Sequence, residues 1–187
     1  MGPAAATNGG RATVLETERL TLRHFSTADA EFMLDLLNQP SFIANIGDRG
    51  VRTVEEAAVY LTNGALASYE RHGFGLYLVV LRETGVGIGT CGLLKREALE
   101  DVDLGFAFLP EHWSRGYAAE AARAVRDYAA RQLGLRRLVA IVLPTNQSSL
   151  RVLEKTGFTY ERTVRLPGED VDLSLLAWDA NPALNSA

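Results

Sequence analysis

One cysteine and three histidines are all that the 187 residues offer of the two residue types that build disulfides and zinc sites. Cys91 alone excludes an internal disulfide framework. His24, His72 and His112 stand isolated in the sequence, so no zinc-ligand spacing exists and no metal is expected. Long apolar runs are missing as well. The longest, LYLVVL and LVAIVL, fall far short of the ~20 residues that span a bilayer, so no membrane role is expected. The opening MGPAAATNGGRAT has no basic region leading into an apolar stretch and is not a secretory signal. Residues 1–13 are expected to form a disordered arm, 14–180 the domain and 181–187 a tail, in a reducing, cytoplasmic setting. Positive charge is in deficit, with 19 Lys and Arg against 23 Asp and Glu. A net charge of −4 argues against nucleic acid as the main partner.

What is present is an ordinary globular composition, 47% hydrophobic and 22% charged, long enough for one sizeable core. RLTLRHF (Arg19 to Phe25) alternates with period two and predicts an opening strand. STADAEFMLDLLNQP predicts a helix, capped at Ser26 or Thr27 and stopped at Pro40. TVEEAAVYLTNGALASYERHG predicts a second helix, with Thr53 and Glu56 in capping-box spacing and Gly73 at its end. Phe74 to Lys95 reads as a hairpin turning at Thr84-Gly85, where glycines between Gly85 and Gly92 imply close approach of another segment. DLGFAFLP (Asp103 to Pro110) is a further strand. An alanine-rich helix follows from about Ser114 to Leu133. RLVAIVL is apolar throughout from Leu138, as expected of a strand covered on both faces. A short helix around SSLRVLEKT and two final strands complete the chain. The fold class is α/β (α+β): one domain with a mixed, mostly antiparallel sheet of about seven strands, a parallel central pair and about four flanking helices.

The stretch EHWSRGYAAEAARAV carries the first chemical signal. A helix start with Gly116 in its first turn exposes backbone N–H groups, and the helix dipole adds to their attraction for phosphate. Arg115 supplies a charge-assisted contact, while Gly116 and Ala118 keep the approach open. Plain helix entry has the same pattern. Tyr117, Ala121, Val125 and Tyr128 form a buried stripe, and Glu120–Arg123 and Asp127–Arg131 are spaced for surface ion pairs. Residues 111–137 hold six arginines against three acids in an acidic chain, which hints at an anionic small molecule.

HWSRGYAAEA followed by NQSSLRVLEKTGF resembles the GNAT superfamily of acetyl-CoA-dependent N-acetyltransferases. ETERLTLR and GVGIGTCGL are similar to its RimJ/RimL-like branch, typified by ribosomal-protein alanine N-acetyltransferases. The resemblance covers roughly residues 15–179. One position departs from the superfamily's general pyrophosphate pattern, where Gln or Arg stands three residues before the first glycine. Here it is Trp113, which shifts phosphate binding onto the backbone of Arg115 to Ala119.

The resemblance implies that acetyl-CoA is the co-substrate and that the strand parting is splayed. Phe106, Ala107 and Phe108 would pair their backbone with the pantetheine arm. Arg115, Gly116, Tyr117, Ala118 and Ala119 would cradle the pyrophosphate, and Asn146 would bond the cofactor's amides. Ser149 would sit near the thioester sulfur and protonate the departing thiolate, unless Ser148 or Ser149 is a helix cap. Asp103 would be the base that takes the amine's proton, unless it is a solvated strand-start carboxylate; Asp172 is a second candidate. The implied activity is N-acetylation of a primary amine by direct attack. A protein N-terminal α-amine is the first expected acceptor and a small-molecule amine the alternative. A non-catalytic acyl-CoA-binding module is a third reading, and a homodimer through the apolar final strands stays open. SFIANIGDRGVRT and the loop from Leu166 to Asp170 are expected to bound the acceptor.

Overall fold

Strand β3 (Leu76–Leu81) explains why its sequence is apolar without interruption. Successive side chains of a strand point to opposite faces. Here Tyr77 and Val79 enter one apolar cluster while Leu78 and Val80 enter or pack against another. The same holds for β6 (Arg137–Val142), whose Leu138 and Ala140 lie in one cluster and Val139 in a different one. Helices cover both faces at β3, whereas the Val139 face of β6 is covered by the loop residues Leu99 and Leu166. The computed structural model describes residues 12–180.

Among the described residues the sheet has eight strands, in the order β1-β2-β3-β4-β5-β6-β8-β7. They are β1 (Thr13–Glu16), β2 (Leu20–Arg23), β3, β4 (Gly87–Leu94), β5 (Val102–Phe108), β6, β7 (Thr159–Val164) and β8 (Leu173–Asp179). Every neighbouring pair is antiparallel except β5–β6, which is parallel. The strand beyond the expected seven is β1, four residues too short to show a period. It starts at Thr13, inside the stretch expected to be a free arm, and pairs with β2. Residues 1–11 and the expected tail at 181–187 lie outside the described residues.

Helices α1 (Ala30–Asn38) and α2 (Pro40–Asn45) replace the single helix expected to stop at Pro40. Proline forces the residue before it out of the helical region, and Gln39 is extended with ψ 132°. Proline is also well suited to a first helical position, so Pro40 ends one helix and starts the next. Helices α3 (Val54–Leu61) and α4 (Ala67–His72) join through a π turn at Thr62–Leu66 into the expected second helix. Its start carries the capping box of Thr53 and Glu56, and Gly73 ends it with φ 74°.

On the opposite face, α5 (Tyr117–Arg131) buries Ala121, Ala122, Val125 and Ala129. The stripe expected through Tyr117 and Tyr128 is thus mainly an alanine stripe, which lets the helix lie close to the strands. The two surface pairs expected along α5 do not form. Glu120 instead accepts from Arg19 and Thr17, and Asp127 pairs with Arg126. Helix α6 (Gln147–Lys155) packs beside α5. In the hairpin, a Cβ at Gly92 would stand 2.2 Å from the Gly75 carbonyl oxygen, and one at Gly89 2.6 Å from that of Ala107. Close approach is therefore the physical reason for glycine at both positions.

Where β2 leads into α1, the His24 ring stacks on Tyr69 at 4.0 Å between centroids and lies 5.8 Å from Tyr77. Burial lowers the His24 pKa from 6.5. The unfolded chain therefore binds the His24 proton more readily, and folding stability is lost as pH falls from 6.5 through the folded value. Chemical denaturation between about pH 5 and pH 8 is expected to show this slope in the wild type and a flatter one in His24→Phe. Equal slopes would remove His24 as the source.

Candidate active site

Strands β5 and β6 pair at Val102↔Leu138 and Asp103↔Val139 and then part. From Leu104 onward the β6-facing edge of β5 has no ladder partner among the described residues, and a cavity of about 330 Å³ opens in the fork. Leu104, Gly105, Phe106 and Ala107 line it from β5, with Ala140, Ile141 and Val142 from β6. Unpaired backbone groups beside an apolar slot can accept an extended chain as an added strand.

The cavity gathers five of the residues singled out in the sequence: Asp103, Phe106, Ala107, Asn146 and Ser149. Asp103 is 1% exposed, so it is not a solvated carboxylate. It sits where the ladder breaks, and its Oδ2 accepts from Arg96 Nε at 2.6 Å. Burial raises its pKa, with Arg96 and the Ile141 backbone pulling less strongly the other way. Asn146 caps α6, its side-chain oxygen accepting from the Ser149 N–H at 3.2 Å. The capping job that was the alternative for Ser149 thus belongs to Asn146. The Ser149 hydroxyl lines the cavity and has no hydrogen-bond partner among the described residues.

The other predicted residues stand apart from this lining. Phe108 is buried, and its carbonyl accepts from Trp113 Nε1 at 2.8 Å. Trp113 thereby fastens the loop after β5 to the strand's end, a structural job at the position where the general pattern has Gln or Arg. Arg115 and Gly116 precede α5 rather than filling its first turn. Gly116 is the N-cap residue with φ 82°, and the helix start has no side-chain cap. The N–H groups of Tyr117, Ala118 and Ala119 are therefore left to an outside partner. Gly116 is exposed, and Arg19 stands beside it: Arg19 Nη1 donates to the Arg115 carbonyl at 2.9 Å, and its guanidinium lies 4.6 Å from the Tyr117 ring centre. This turn and the open edge of β5 fit a phosphate group joined to an extended arm.

Of the segments expected to bound an acceptor, the one between the first helices does line the cavity, through Phe42, Asn45, Ile46 and Arg49. The loop from Leu166 to Asp170 does not. Asp172, the second base candidate, is exposed and paired with Arg165 at 2.8 Å. Arg96, Arg19 and Tyr60 were not picked out from the sequence. Arg19 reaches Glu120 and Arg115 about a hundred positions away, while Arg96 meets Asp103 only seven positions on, across an irregular connection that carries no period.

The family model described as Acetyltransferase (GNAT) domain matches residues 19–159. The crystal structure of an acetyltransferase from Agrobacterium tumefaciens str. C58 is 30% identical, with a TM-score of 0.75 over 95% of this chain and 99% of that one. The chain belongs to the GNAT acetyltransferases. Among curated relatives, the uncharacterised N-acetyltransferase YoaA of Bacillus subtilis (strain 168) is 31% identical, across 81% of this chain and 86% of that protein. RimL, a ribosomal L7/L12 alpha-N-protein acetyltransferase solved with coenzyme A, shares the fold at a TM-score of 0.78. Its identity is 18%, covering 90% of this chain and 98% of RimL. GNAT domains use acetyl-CoA, and this GNAT chain is an N-acetyltransferase. Among the described residues no helix is long and apolar enough to cross a membrane.

Proposed function

We propose that this enzyme passes the acetyl group of acetyl-CoA to a protein N-terminal α-amine, by direct attack within a ternary complex. The observation that carries the reading is the fork after Asp103, where an unpaired strand edge, a buried carboxylate and a free serine hydroxyl line one cavity. Acetyl-CoA supplies an activated thioester. The backbone of Phe106 and Ala107, with Phe108 at the strand's end, holds the pantetheine arm as an extra strand and polarises the acetyl carbonyl. Arg115, Gly116, Tyr117, Ala118 and Ala119 form the phosphate turn, with Arg19 beside it. Asn146 offers its side-chain N–H₂ to the arm's amides. Asp103 accepts the amine's proton, directly or through water, and Ser149 donates to the departing thiolate. The protein-terminus acceptor is supported by the shared fold with RimL and by the open, partly apolar wall around Phe42 and Ile46. A small-molecule amine is the alternative outcome of an acceptor screen.

The phosphate turn is tested by calorimetric titration of acetyl-CoA into the wild type, Gly116→Ala and Gly116→Glu. A side chain at φ 82° is strained in both variants, so their comparison isolates charge. Gly116→Glu is expected to weaken binding at least about tenfold more than Gly116→Ala, because a carboxylate repels phosphate at the helix start. Equal Kd values in the two variants would move the phosphates elsewhere.

A further inference from the structure

The charges around the cavity do not balance. Arg96 is matched by Asp103, whereas Arg49, on the loop after α2, lines the same cavity with no ion-pair partner among the described residues. The adjacent acid is already engaged. Asp48 accepts from Arg52 at 2.5 Å through one oxygen and from the Gly50 N–H at 2.8 Å through the other. Arg49 shares its stretch of lining with Phe42, Ile46 and Tyr60. Arg49 and Ile46 are exposed, so an incoming acceptor reaches the guanidinium directly from solvent. The phosphate turn proposed at the start of α5, with Arg115 and Arg19, contributes no residue to this lining, so Arg49 stands apart from it.

We infer that the acceptor of this enzyme carries a carboxylate a few bonds from its amine, and that Arg49 binds it while the amine meets Asp103. The inference rests on the acetyl-transfer reading above. A guanidinium presents parallel N–H donors in the geometry of a carboxylate, which fixes orientation as well as charge. Two sources share this chemistry: a peptide with an acidic residue close behind its N-terminus, and a free amino acid.

Steady-state kinetics of the full chain with acetyl-CoA separate them. One arm compares C-terminally amidated peptides that differ by Glu or Gln at the second position. The other compares alanine with alaninamide. The carboxylate-bearing acceptor is expected to lead by about tenfold or more in kcat/KM in one arm, and that arm names the source. Arg49→Gln should erase the preference, and Arg49→Glu should reverse it in favour of a Lys-containing peptide or an uncharged amide. The change should fall on the acceptor's KM, with that of acetyl-CoA unaltered. Equal rates for charged and neutral acceptors would overturn the inference while leaving acetyl transfer standing. So would a rise in the acetyl-CoA KM alone. No turnover with any amine would overturn the acetyl-transfer reading, and this inference with it.

Discussion

Asp103→Asn is expected to lower kcat/KM by about 10²–10⁴, the range that a positioned proton acceptor contributes. The same variant should bind acetyl-CoA normally and be at least as stable as the wild type. The second half follows from the sign of the pKa shift. Burial raises the Asp103 pKa, so the folded state holds this proton more tightly than the unfolded state does. A group raised in this way favours folding when protonated and opposes it as pH rises through the folded value. In its ionised form the carboxylate is therefore a load on the fold, relieved in part by Arg96 at 2.6 Å. Asparagine keeps the shape and removes the charge. Loss of activity with an unchanged or higher melting temperature separates a chemical role from a structural one. The acid limb of the wild-type rate profile, where activity falls as Asp103 takes up a proton, should vanish in the variant. An activity within a few-fold of wild type would end the case for Asp103 as the base.

How much of this site could be read from the sequence depends on the range of each contact. Gly116 was legible because a glycine just before an alanine-rich helix has a local cause, the positive φ of the turn it makes. The β5 strand and the two-sided burial of β6 were legible because their apolar patterns are local. The burial of Asp103 was not. Its partners are Arg96 on the connection from β4 and Ile141 on β6, and neither is marked by spacing. Arg19 reaches the start of α5 across 96 positions of sequence. Helix-surface spacing favoured Glu120–Arg123 and Asp127–Arg131 pairs worth about 0.2–0.5 kcal/mol each. Terms that small are displaced by any tertiary partner, and Thr17 and Arg19 together give Glu120 three hydrogen bonds at 2.6–3.0 Å. Pro40 shows the complementary failure. Local spacing marks the helix that proline ends, while the helix it starts at Pro40–Asn45 is too short to show a period.

Asp29→Ala is expected to destabilise the fold by about 3–5 kcal/mol, the range for removing one partner of a buried ion pair. Asp29 is 7% exposed and grips Arg23 with both oxygens, at 2.8 and 2.9 Å. It also accepts from the Ser26 N–H at 2.9 Å, closing the turn that leads into α1. Removing it leaves the largely buried Arg23 guanidinium with the His24 carbonyl at 3.0 Å but no counterion. Burial alone would raise the Asp29 pKa, but Arg23 and Ser26 outweigh it and hold the carboxyl below 3.8. Stability from this pair is therefore present above 3.8 and lost as pH falls through the folded value. Denaturation curves should show wild type and variant converging in acid. The Arg23→Met, Asp29→Leu double variant should recover part of the loss, because no charge is then stranded. The consequence for function runs through α1, whose Leu36 and Leu37 share an apolar cluster with Ala57, Leu61 and Phe42. Phe42 walls the cavity, so loosening α1 should raise the acceptor's KM before it disturbs acetyl-CoA binding at α5. A cost below about 1 kcal/mol, the level of an exposed pair, would mean that water reaches Arg23 and that the turn is held by its backbone alone.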